Sequence, residues 1–462
     1  MIQLRPYQIE DTNRIRELML KGIRRIQYQL PTGGGKTVVV SSMLKTASSK
    51  GISSLFIVHR RELIKQSIES FKTVGLHHGI IAPGFYQSSR TLANIASVQT
   101  LARRLHKVSK PKLIIWDEDH HLGAASWTKV YKAFPDAFHI GLSATPKRTD
   151  GTGLGLYFQA IVNGPSVQEL IDQGYLSKYK LYAPHTVNTK GVHTRMGDFV
   201  ASELSDLIDK PTITGDAIKE YQKLARGKRA IVRGVSIKHS QHIAEQFNKA
   251  GIPAIHVDGT TPEAERDEAI ASFRRGDILI LSNVDLFSEG FDVPSVECVI
   301  DLRPTQSLIL ALQFWGRALR PYPGKEYAII IDHAGNAFRH GLPCDVREWS
   351  LEGHKKEKKS DEGQKIKLCP ECFGATQSWR KECPYCKHPF KVEAREVEQV
   401  EGELSEVDVE AFKLARRKEE GMAQTYEELV AIGKSRGYPK AEKWARIRIK
   451  IREERKKKAS AW

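Results

Sequence analysis

Residues 30–37 read LPTGGGKT, a glycine-rich turn that leads into a helical pattern beginning with Val38. Consecutive glycines allow backbone N–H groups to surround a phosphate chain, and the N-terminus of the following helix adds positive potential. In this arrangement Lys36 reaches the terminal phosphates and Thr37 can bind Mg²⁺. The backbone cradle is formed by Thr32, Gly33, Gly34 and Gly35. The strict pattern has glycine at the position of Leu30, so on this motif alone a glycine-rich turn with an incidental lysine is the alternative.

Apolar strand patterns alternate with helical patterns on both sides of this turn. The candidate strands of the first half are SSLFIVHR, NIASVQ, KLIIW and FHIGLS. A second series starts near residue 229 and contains RAIVRGVS, DILILS, VECVIDL and YAIIIDH. Continuous apolar runs separated by helices indicate parallel sheets that are covered on both faces. The sequence therefore predicts an α/β fold with two tandem parallel-sheet domains.

The chain has 462 residues, which is more than one ordinary hydrophobic core accommodates. We predict a first α/β domain at residues 1–165, a connector at 166–205, a second α/β domain at 206–350, a charged linker at 351–366, a small cysteine-containing module at 367–392, and an acidic, then basic, helical tail at 393–462. The linker is predicted from HKKEKKSDEGQK, because a segment with so few apolar residues cannot bury a core.

The charge balance favours a polyanionic partner. The sequence contains 72 lysines and arginines against 55 aspartates and glutamates, which gives a net charge of +17. Nucleic acid is the first candidate partner, and a solvated basic surface is the alternative. The N-terminus lacks the layout of a signal peptide, and no apolar run approaches the roughly 18 residues of a membrane span. We therefore expect no membrane partner and a cytoplasmic protein.

Residues 116–121 read WDEDHH and follow the candidate strand KLIIW. If that strand is parallel and buried, Asp117 and Glu118 emerge at the sheet edge where α/β proteins bind ligands. One carboxylate can then bind Mg²⁺, and the next can orient or deprotonate an attacking water. A zinc site is the alternative, but adjacent residues on an extended chain point to opposite sides and cannot all converge on one ion. The cluster therefore favours magnesium and nucleotide hydrolysis.

Three later stretches place polar residues after predicted strands or along one helix. They contribute Ser143 and Thr145 from GLSATPKR, Gly290 and Asp292 from SEGFDVP, and Gln313, Arg317 and Arg320 from QFWGRALR. Arginines three positions apart share a helix face, so Arg317 and Arg320 could both reach a terminal phosphate across a domain cleft. An ordinary hydroxyl turn and surface salt bridges are the alternatives for these stretches taken singly.

Taken in chain order, these stretches resemble the motifs of superfamily 2 helicases of the DEAD/DEAH type. LPTGGGKT is similar to motif I, DEDH to motif II, SATP to motif III, SEGFD to motif V and QFWGRALR to motif VI. LRPYQ resembles the adenine-reading element of that family, and IVHRRELIKQ and SVQTL resemble motifs Ia and Ib. The likeness covers about residues 1–350. It implies two RecA-like domains that bind ATP and Mg²⁺ and hydrolyse ATP in response to nucleic acid.

The resemblance assigns roles to individual residues. Lys36 and Thr37 would hold phosphate and Mg²⁺, Asp117 would bind the metal, and Glu118 would act on the attacking water. Arg5 and Gln8 would contact the adenine base, and Gly290 and Asp292 would contact the nucleotide. His120, Ser143 and Thr145 would couple hydrolysis to domain movement. Gln313, Arg317 and Arg320 would act on the transferring phosphoryl group. Arg320 is the expected arginine finger. Asp119 has no assigned catalytic role.

Four cysteines form two CxxC pairs ten residues apart, at Cys369, Cys372, Cys383 and Cys386. This spacing predicts a zinc ribbon in which four thiolates bind a structural Zn²⁺. The glycine that usually follows the second cysteine of each pair is replaced by Phe373 and Lys387. Together with the motor motifs, the ribbon resembles the RadD-like branch of bacterial and phage helicases, which implies a bacterial or phage-infected cell.

The expected function is that of an ATP-dependent DNA helicase or translocase in repair, recombination or replication. In the resembling family, motifs Ia and Ib contact the nucleic-acid backbone, which points to Arg60 and Thr100. In the basic tail, Lys443 and Arg446 are candidates for phosphate contacts, and Trp444 is expected to pack on a neighbour. We expect a monomer, with single-strand-binding or recombination proteins as candidate partners. The alternatives are an RNA helicase, a nuclease that uses DEDHH, and a non-catalytic nucleic-acid scaffold.

Overall fold

A computed structural model describes the chain at residues 3–85, 91–148, 152–183, 192–195, 198–200, 203–204, 211–284, 286, 293–352, 366–390, 419–420, 422–423, 425–435, 441–446 and 448–449. The chain divides into two compact units, Met1–Val392 and Glu393–Trp462. None of the helices in these ranges is both long enough and apolar enough to cross a membrane.

The first sheet is parallel throughout and, over the described residues, has the order β3-β4-β2-β5-β6-β1-β7. Its strands are β1 (Arg25–Gln29), β2 (Ser54–Val58), β3 (His78–Ile81), β4 (Ala93–Ser97), β5 (Leu113–Asp117), β6 (Phe138–Ser143) and β7 (Ala160–Asn163). The accompanying helices are α1 (Pro6–Leu20), α2 (Lys36–Ser49), α3 (Arg61–Thr73), α4 (Val98–Arg104), α5 (Ala125–Ala133) and α6 (Val167–Asp172), with 3₁₀ turns at Leu105–Lys107, Asp119–His121 and Leu154–Leu156. Every residue of β2, β4 and β5 is buried, because helices cover both faces of the sheet.

A second parallel sheet has the order β12-β13-β11-β14-β15-β8 in the described ranges. The strands of this half are β8 (Tyr179–Tyr182), the short antiparallel pair β9 (Thr194–Arg195) and β10 (Asp198–Phe199), β11 (Ala230–Arg233), β12 (Ala254–Val257), β13 (Ile280–Asn283), β14 (Cys298–Asp301) and β15 (Ala328–Asp332). Its helices are α7 (Pro211–Leu224), α8 (Ile237–Lys249), α9 (Glu263–Arg275), α10 (Leu308–Gly316) and α11 (Asn336–His340). β8 lies within residues 166–205 and pairs with β15, so this stretch contributes a strand to the second sheet. The two parallel sheets confirm the predicted fold class.

A buried polar network fixes helix α10 against the second sheet. Arg233 and Asp301 form a fully buried ion pair at 2.8 Å, and Trp315 Nε1 of α10 donates a hydrogen bond to Asp301 Oδ2 at 3.2 Å. An ion pair that is buried and satisfied in this way is strongly destabilising to break, because removal of one partner leaves an uncompensated charge. The network therefore fixes the end of α10 and, with it, the start of the segment that follows the helix.

The cysteine-containing module packs on the edge of the second sheet. Its strands β16 (Ile366–Leu368) and β17 (Ala375–Gln377) pair in antiparallel fashion. Gly374 forms a bridge with Tyr182 of β8, and Ile366 and Ala375 belong to the same apolar cluster as the domain cores. The module is thus part of the first compact unit.

In the second compact unit, helix α12 (Tyr426–Ser435) packs against a helical segment at residues 441–446. A Cβ atom placed on Gly433 would lie 3.2 Å from Trp444 Cε3, so the indole packs closely on α12. This contact confirms the packing predicted for Trp444. The acidic stretch at 393–418 and the residues after 449 lie outside the described ranges.

Candidate functional site

The glycine-rich turn ends in a left-handed residue that starts helix α2. Gly35 has φ +84° and caps the helix, whose first residue is Lys36. Gly33 has φ +85°, a conformation that side chains other than glycine rarely adopt. A Cβ atom on Gly35 would also lie 2.6 Å from Gln8 Nε2. The turn therefore requires glycine for its backbone conformation and for close packing against α1.

The start of α1 holds the turn from one side. Gln8 Nε2 donates to Gly34 O at 2.9 Å, and the Tyr7 hydroxyl donates to the same carbonyl at 2.7 Å. The Arg5 guanidinium lies 4.5 Å from the centre of the Tyr175 ring. Arg5 and Gln8 were predicted from the sequence, whereas Tyr7 and Tyr175 were not. Tyr7 adjoins Gln8 in LRPYQ and could have been found there, whereas no sequence motif surrounds Tyr175.

The carboxylates of WDEDHH lie at the carboxyl end of β5, close to the turn. Lys36 Nζ donates to Glu118 Oε1 at 3.0 Å, which joins the two predicted motifs directly. Asp117 and Glu118 are 9% and 8% exposed, respectively. Glu118 has φ +52°, an unusual conformation for a residue with a side chain and one that is enriched at functional sites.

The three residues predicted to couple hydrolysis to movement are connected to Glu118. His120 Nδ1 lies 3.4 Å from Glu118 Oε2, and the Ser143 hydroxyl donates to the same oxygen at 3.5 Å. The backbone N–H of Thr145 donates to Ser143 Oγ at 3.1 Å. The ends of β5 and β6 are adjacent in the parallel sheet, which is why the residues that follow these strands meet.

Asp119 lies beneath this cluster and is fully buried. Burial raises the pKa of its carboxyl group to about 7, with the nearby Glu118 charge acting in the same direction and His120 acting against it. A carboxyl group that is largely desolvated prefers its neutral form.

The segment that follows helix α10 brings the predicted arginines to the glycine-rich turn. The helix ends at Gly316, so the prediction that Arg317 and Arg320 lie on one helix with Gln313 is wrong. A Cβ atom on Gly316 would lie 2.7 Å from Thr32 Cβ, and one on Gly33 would lie 3.6 Å from Arg320 Cγ. Arg317 is 7% exposed, and burial lowers the pKa of the Arg320 guanidinium to about 10. The arginines are therefore held at the interface between the two domains, next to the turn.

Lys325, which was not predicted from the sequence, supports Arg320. Lys325 Nζ donates to Arg320 O and to Val296 O, both at 2.8 Å, and also to Ala318 O. The bonds to Ala318 and Arg320 satisfy carbonyls just beyond the end of α10, where helices leave acceptors without intrahelical partners, and the bond to Val296 ties this segment to the residues before β14. Gly290 and Asp292, which were predicted to contact the nucleotide, lie outside the described residues.

The donor set at this interface fits a nucleoside triphosphate with Mg²⁺. Lys36 and Thr37 directly follow the glycine-rich turn, Arg320 lies beside Gly33, and Asp117 precedes Glu118, whose carboxylate contacts Lys36. Cationic and oxygen-bearing side chains of these types suit phosphates and Mg²⁺. Buried polar atoms are normally hydrogen-bonded. Among the described residues, both amide atoms of Gln313 and the hydroxyl oxygen of Thr145 are buried without a hydrogen-bond partner. The interface thus retains bonding capacity that a polar ligand would satisfy.

The predicted nucleic-acid contacts are in different environments. Arg60 follows β2 and donates from Nη1 to Leu286 O in the second domain at 3.4 Å. Thr100 is 7% exposed on α4, so its side chain is not presented to a ligand in this conformation. Lys443 and Arg446 are exposed on the helical segment at 441–446 in the second unit.

The four paired cysteines converge on one point. Their sulfur atoms all lie within 4.8 Å of one another. Among the described residues, no other set of three or more His, Cys, Asp or Glu side chains is arranged to hold a metal ion, so the residues of DEDHH do not form such a set. The Cys369–Cys386 and Cys372–Cys383 sulfur distances are 3.5 and 3.6 Å. Four ligands at about 2.3 Å in a tetrahedron would be roughly 3.8 Å apart, so the cluster fits Zn²⁺.

Phe373 and Lys387 adopt the conformation for which glycine is usual at these positions. Their φ angles are +57° and +64°, and their N–H groups each donate at 2.9 Å to the carbonyl of the first cysteine of the pair, Cys369 and Cys383. The two turns therefore have equivalent geometry despite the missing glycines.

Comparison with known proteins gives two family matches. Residues 1–148 match the family described as "Type III restriction enzyme, res subunit", and residues 212–322 match "Helicase conserved C-terminal domain". A solved fragment of an HsdR subunit of a type I restriction enzyme from Vibrio vulnificus superposes with a TM-score of 0.57 at 21% identity, over 73% of this chain and 66% of that one. This structural likeness supports the fold.

Three relatives extend the match across most of the first unit. A 51.5 kDa protein of a Lactococcus phage is 38% identical over 84% of this chain and 83% of its own length. The Saccharomyces cerevisiae protein named as ATP-dependent helicase IRC3 is 32% identical over 72% of this chain, which spans only 51% of it. The DNA 3'-5' translocase XPB2 of Sulfurisphaera tokodaii is 28% identical over 73% of this chain and 83% of its own length.

These relatives support the superfamily as a whole and do not single out the RadD-like branch. The order of the motifs, the convergence at one interface of those similar to motifs I, II, III and VI, and the two family matches agree with one another. The chain belongs to the superfamily 2 helicases of the DEAD/DEAH type, which are nucleic-acid-dependent ATPases.

Proposed function

We propose that this protein is an ATP-dependent DNA translocase or helicase that acts in DNA repair, recombination or replication. The observation that carries the proposal is the contact between α10 and the glycine-rich turn, where Gly316 meets Thr32 and Arg320 lies beside Gly33. Cations from one domain thereby face the phosphate-binding turn of the other. A triphosphate bound between them would favour closure, and loss of its terminal phosphate would weaken it.

The proposed roles follow from the positions of the side chains. Lys36 and Thr37 would hold the β- and γ-phosphates and Mg²⁺, with Asp117 as a further ligand of the metal. Bound Mg²⁺ would neutralise the charge that develops on the phosphates. Glu118 would take a proton from the attacking water once Lys36 has moved from the carboxylate to the phosphates.

The arginines would act on the transferring group from the second domain. Arg320 is fixed by the bonds from Lys325 to its carbonyl and by burial, which suits the role of an arginine finger. Arg317 and Gln313 lie on the preceding turn of the same segment. Arg5 and Gln8 would border the base, where Tyr175 offers an aromatic face next to Arg5.

DNA is the proposed substrate for two reasons. A relative that covers most of the motor carries the name DNA 3'-5' translocase, and the net charge of +17 suits a polyanion. Arg60 of the first domain and Lys443 and Arg446 of the tail are the proposed phosphate contacts. We also propose a structural Zn²⁺ at the four cysteines, and a single-strand-binding or recombination protein as a further partner.

The test compares ATP hydrolysis by the purified full-length protein without nucleic acid and with single-stranded DNA, branched DNA or RNA. We expect DNA to stimulate hydrolysis more than RNA, and Lys36→Ala to abolish the stimulated activity. Stronger stimulation by RNA would replace DNA with RNA as the substrate. Stimulated hydrolysis that survives in Lys36→Ala would overturn the assignment of the motor site.

A further inference from the structure

Three histidines connect the motor carboxylate with the arginine that follows β2. His120 lies 3.4 Å from Glu118 Oε2, and the His120 and His121 rings are 4.3 Å apart between centres. The His121 ring is 4.7 Å from the His59 ring. His59 Nε2 accepts a hydrogen bond of 3.2 Å from Arg60 Nε. We call His120, His121 and His59 the histidine chain.

The sheet explains why residues so far apart in sequence meet here. β2 and β5 are adjacent and parallel, with Ile57 opposite Trp116, so the residues that follow both strands leave the same sheet edge. The left-handed conformation of Glu118 then turns the backbone into the 3₁₀ segment Asp119–His121. This turn directs His121 back toward the end of β2.

Aromatic side chains pack against the rings of the histidine chain. Trp127 of α5 lies 5.5 Å from His121 and 6.3 Å from His59, and it stacks on the buried Trp116 at 5.7 Å. Ring nitrogens of all three histidines are shielded from solvent. A close-packed assembly of this kind responds to displacement of one member by shifting the others, because interiors tolerate little empty space.

We propose that His121 is a positioning residue that couples Arg60 to Glu118 through the histidine chain. When Arg60 binds a backbone phosphate, its hold on His59 changes, and the packed rings pass this displacement to His120 and the Glu118 carboxylate. The inference rests on the proposed function, since it needs Arg60 to contact nucleic acid. It adds His59 and His121 to the residues that the helicase motifs assign.

The first test is His121→Ala in the full-length protein. We expect ATP hydrolysis without DNA to stay close to the wild-type rate, and the stimulation by DNA to fall about 10-fold, within the usual range of coupling between two sites. DNA affinity without nucleotide should be retained, because Arg60 is intact. His78→Ala is the matched control, since the His78 ring also packs on an aromatic side chain, at 5.4 Å from Phe71, but lies outside the histidine chain.

Two conservative variants separate ring packing from hydrogen bonding. His121→Phe keeps a ring between its neighbours and should restore most of the stimulation that His121→Ala loses. His59→Phe keeps the ring but removes the acceptor for Arg60 Nε, so it should lose stimulation. In a double-mutant cycle, Arg60→Ala combined with His121→Ala should be no worse than the more impaired single variant, because both interrupt one path.

The outcomes distinguish this inference from the proposed function. If wild-type hydrolysis responds to no nucleic acid, both fail. If the wild type responds and His121→Ala responds equally, only the histidine chain is refuted. Equal losses of basal and stimulated activity in both His121→Ala and His121→Phe would assign His121 a purely structural role and would also overturn the proposal.

Discussion

Lys36 Nζ is hydrogen-bonded to Glu118 Oε1 at 3.0 Å, so the lysine proposed to bind phosphate and the carboxylate proposed to activate water neutralise each other. Both side chains are largely buried, which makes the pair costly to separate without another charged partner. A triphosphate supplies that partner by drawing Lys36 away. Nucleotide binding would therefore release Glu118 at the moment when water must be oriented.

Replacing Glu118 by glutamine tests this exchange. We expect Glu118→Gln to lower the rate of hydrolysis by about 10²- to 10⁴-fold, the usual contribution of a general base. Nucleotide affinity should be retained or increased, because Lys36 loses its competing carboxylate. Asp119→Asn is the control: burial raises the pKa of Asp119 to about 7, so a neutral amide resembles a form already populated at neutral pH. Titration with a fluorescent nucleotide and steady-state hydrolysis separate the two effects. A large loss of hydrolysis in Asp119→Asn would show that this residue has a role that the motifs did not assign.

Gly316→Ala tests the contact between the domains. The added Cβ would lie 2.7 Å from Thr32 Cβ, closer than such atoms approach, so α10 and the glycine-rich turn must separate. We expect kcat to fall by about 10-fold, because small misplacements of positioned groups reduce rates strongly. Gly259→Ala is the matched control, since nothing lies within 4 Å of its Cβ position. Unchanged hydrolysis in Gly316→Ala would indicate that the active conformation does not use this contact.

Ion pairs between α3 and α9 form a second bridge between the domains. Arg266 Nη1 lies 3.0 Å from Glu62 Oε1, and Lys65 lies 3.2 Å from Asp267 Oδ2. Partly exposed pairs of this kind are weak and are screened by salt, so we expect Arg266→Glu to lower the closed population by about two- to fivefold at low ionic strength. Energy transfer between one dye on each domain measures that population.

The charge-swapped double variant is the control for this bridge. Glu62→Arg combined with Arg266→Glu should restore the energy transfer that Arg266→Glu loses, because the attraction is regained with reversed sign. High salt should remove the difference between all three proteins. Equal transfer in the wild type and Arg266→Glu at low salt would argue against a role of the bridge in closure.

Local sequence patterns were sufficient to predict the positions of the site residues that directly follow strands. Asp117 and Glu118 could be placed near Lys36 from the pattern of KLIIWDEDHH alone, since parallel strands end at one sheet edge. The two α/β halves were likewise evident from apolar runs that alternate with helices. These features depend on periodicity and on motifs within a few residues.

Contacts between distant segments were not accessible in this way. Two of these contacts join segments more than 100 residues apart: Tyr175 lies beside Arg5, and β8 lies beside the cysteine-containing module. A third contact, between Lys325 and the Arg320 carbonyl, involves a lysine outside any motif. Such contacts depend on how complete elements pack, which a one-dimensional pattern does not encode. The conformations of Phe373 and Lys387 are a related case, because the hydrogen bonds of the two cysteine turns override their preference for negative φ.

Metal removal should affect the second domain as well as the ribbon. Tyr385 donates from its hydroxyl to Ala375 O at 3.0 Å and accepts from the Leu181 N–H of β8 at 3.4 Å. The ribbon therefore covers the edge strand of the second sheet. We expect one Zn²⁺ per chain, and we expect chelation to lower the melting temperature of the second domain. Differential scanning calorimetry of the full chain before and after chelation measures this.

Two variants define what the ribbon contributes. Cys372→Ser should reproduce the effect of chelation, whereas Tyr385→Phe should bind zinc normally and show only a smaller loss of stability, because it lacks one hydroxyl. If chelation leaves the whole melting profile unchanged, the cysteines do not hold a structural metal.

A buried imidazole should make the first domain sensitive to mild acid. His139 accepts from Trp116 Nε1 at 3.1 Å and contacts Phe134 O through Nε2 at 2.8 Å, an arrangement that suits the neutral ring. Desolvation lowers the pKa of His139 from 6.5 to about 4. Between these values the unfolded chain binds the proton and the folded chain does not, so stability falls as the pH drops from 6.5 toward 4.

His139→Gln should reduce this dependence. The amide can accept from Trp116 Nε1 and donate to Phe134 O without binding a proton in this range. From pH 7 to pH 5, the wild type should lose about 2 kcal/mol more unfolding free energy than the variant, as calculated from the pKa difference. Urea unfolding followed by tryptophan fluorescence at the two pH values measures both losses. Because other groups titrate equally in the two proteins, parallel decreases would show that His139 is protonated as readily in the folded chain as in the unfolded one.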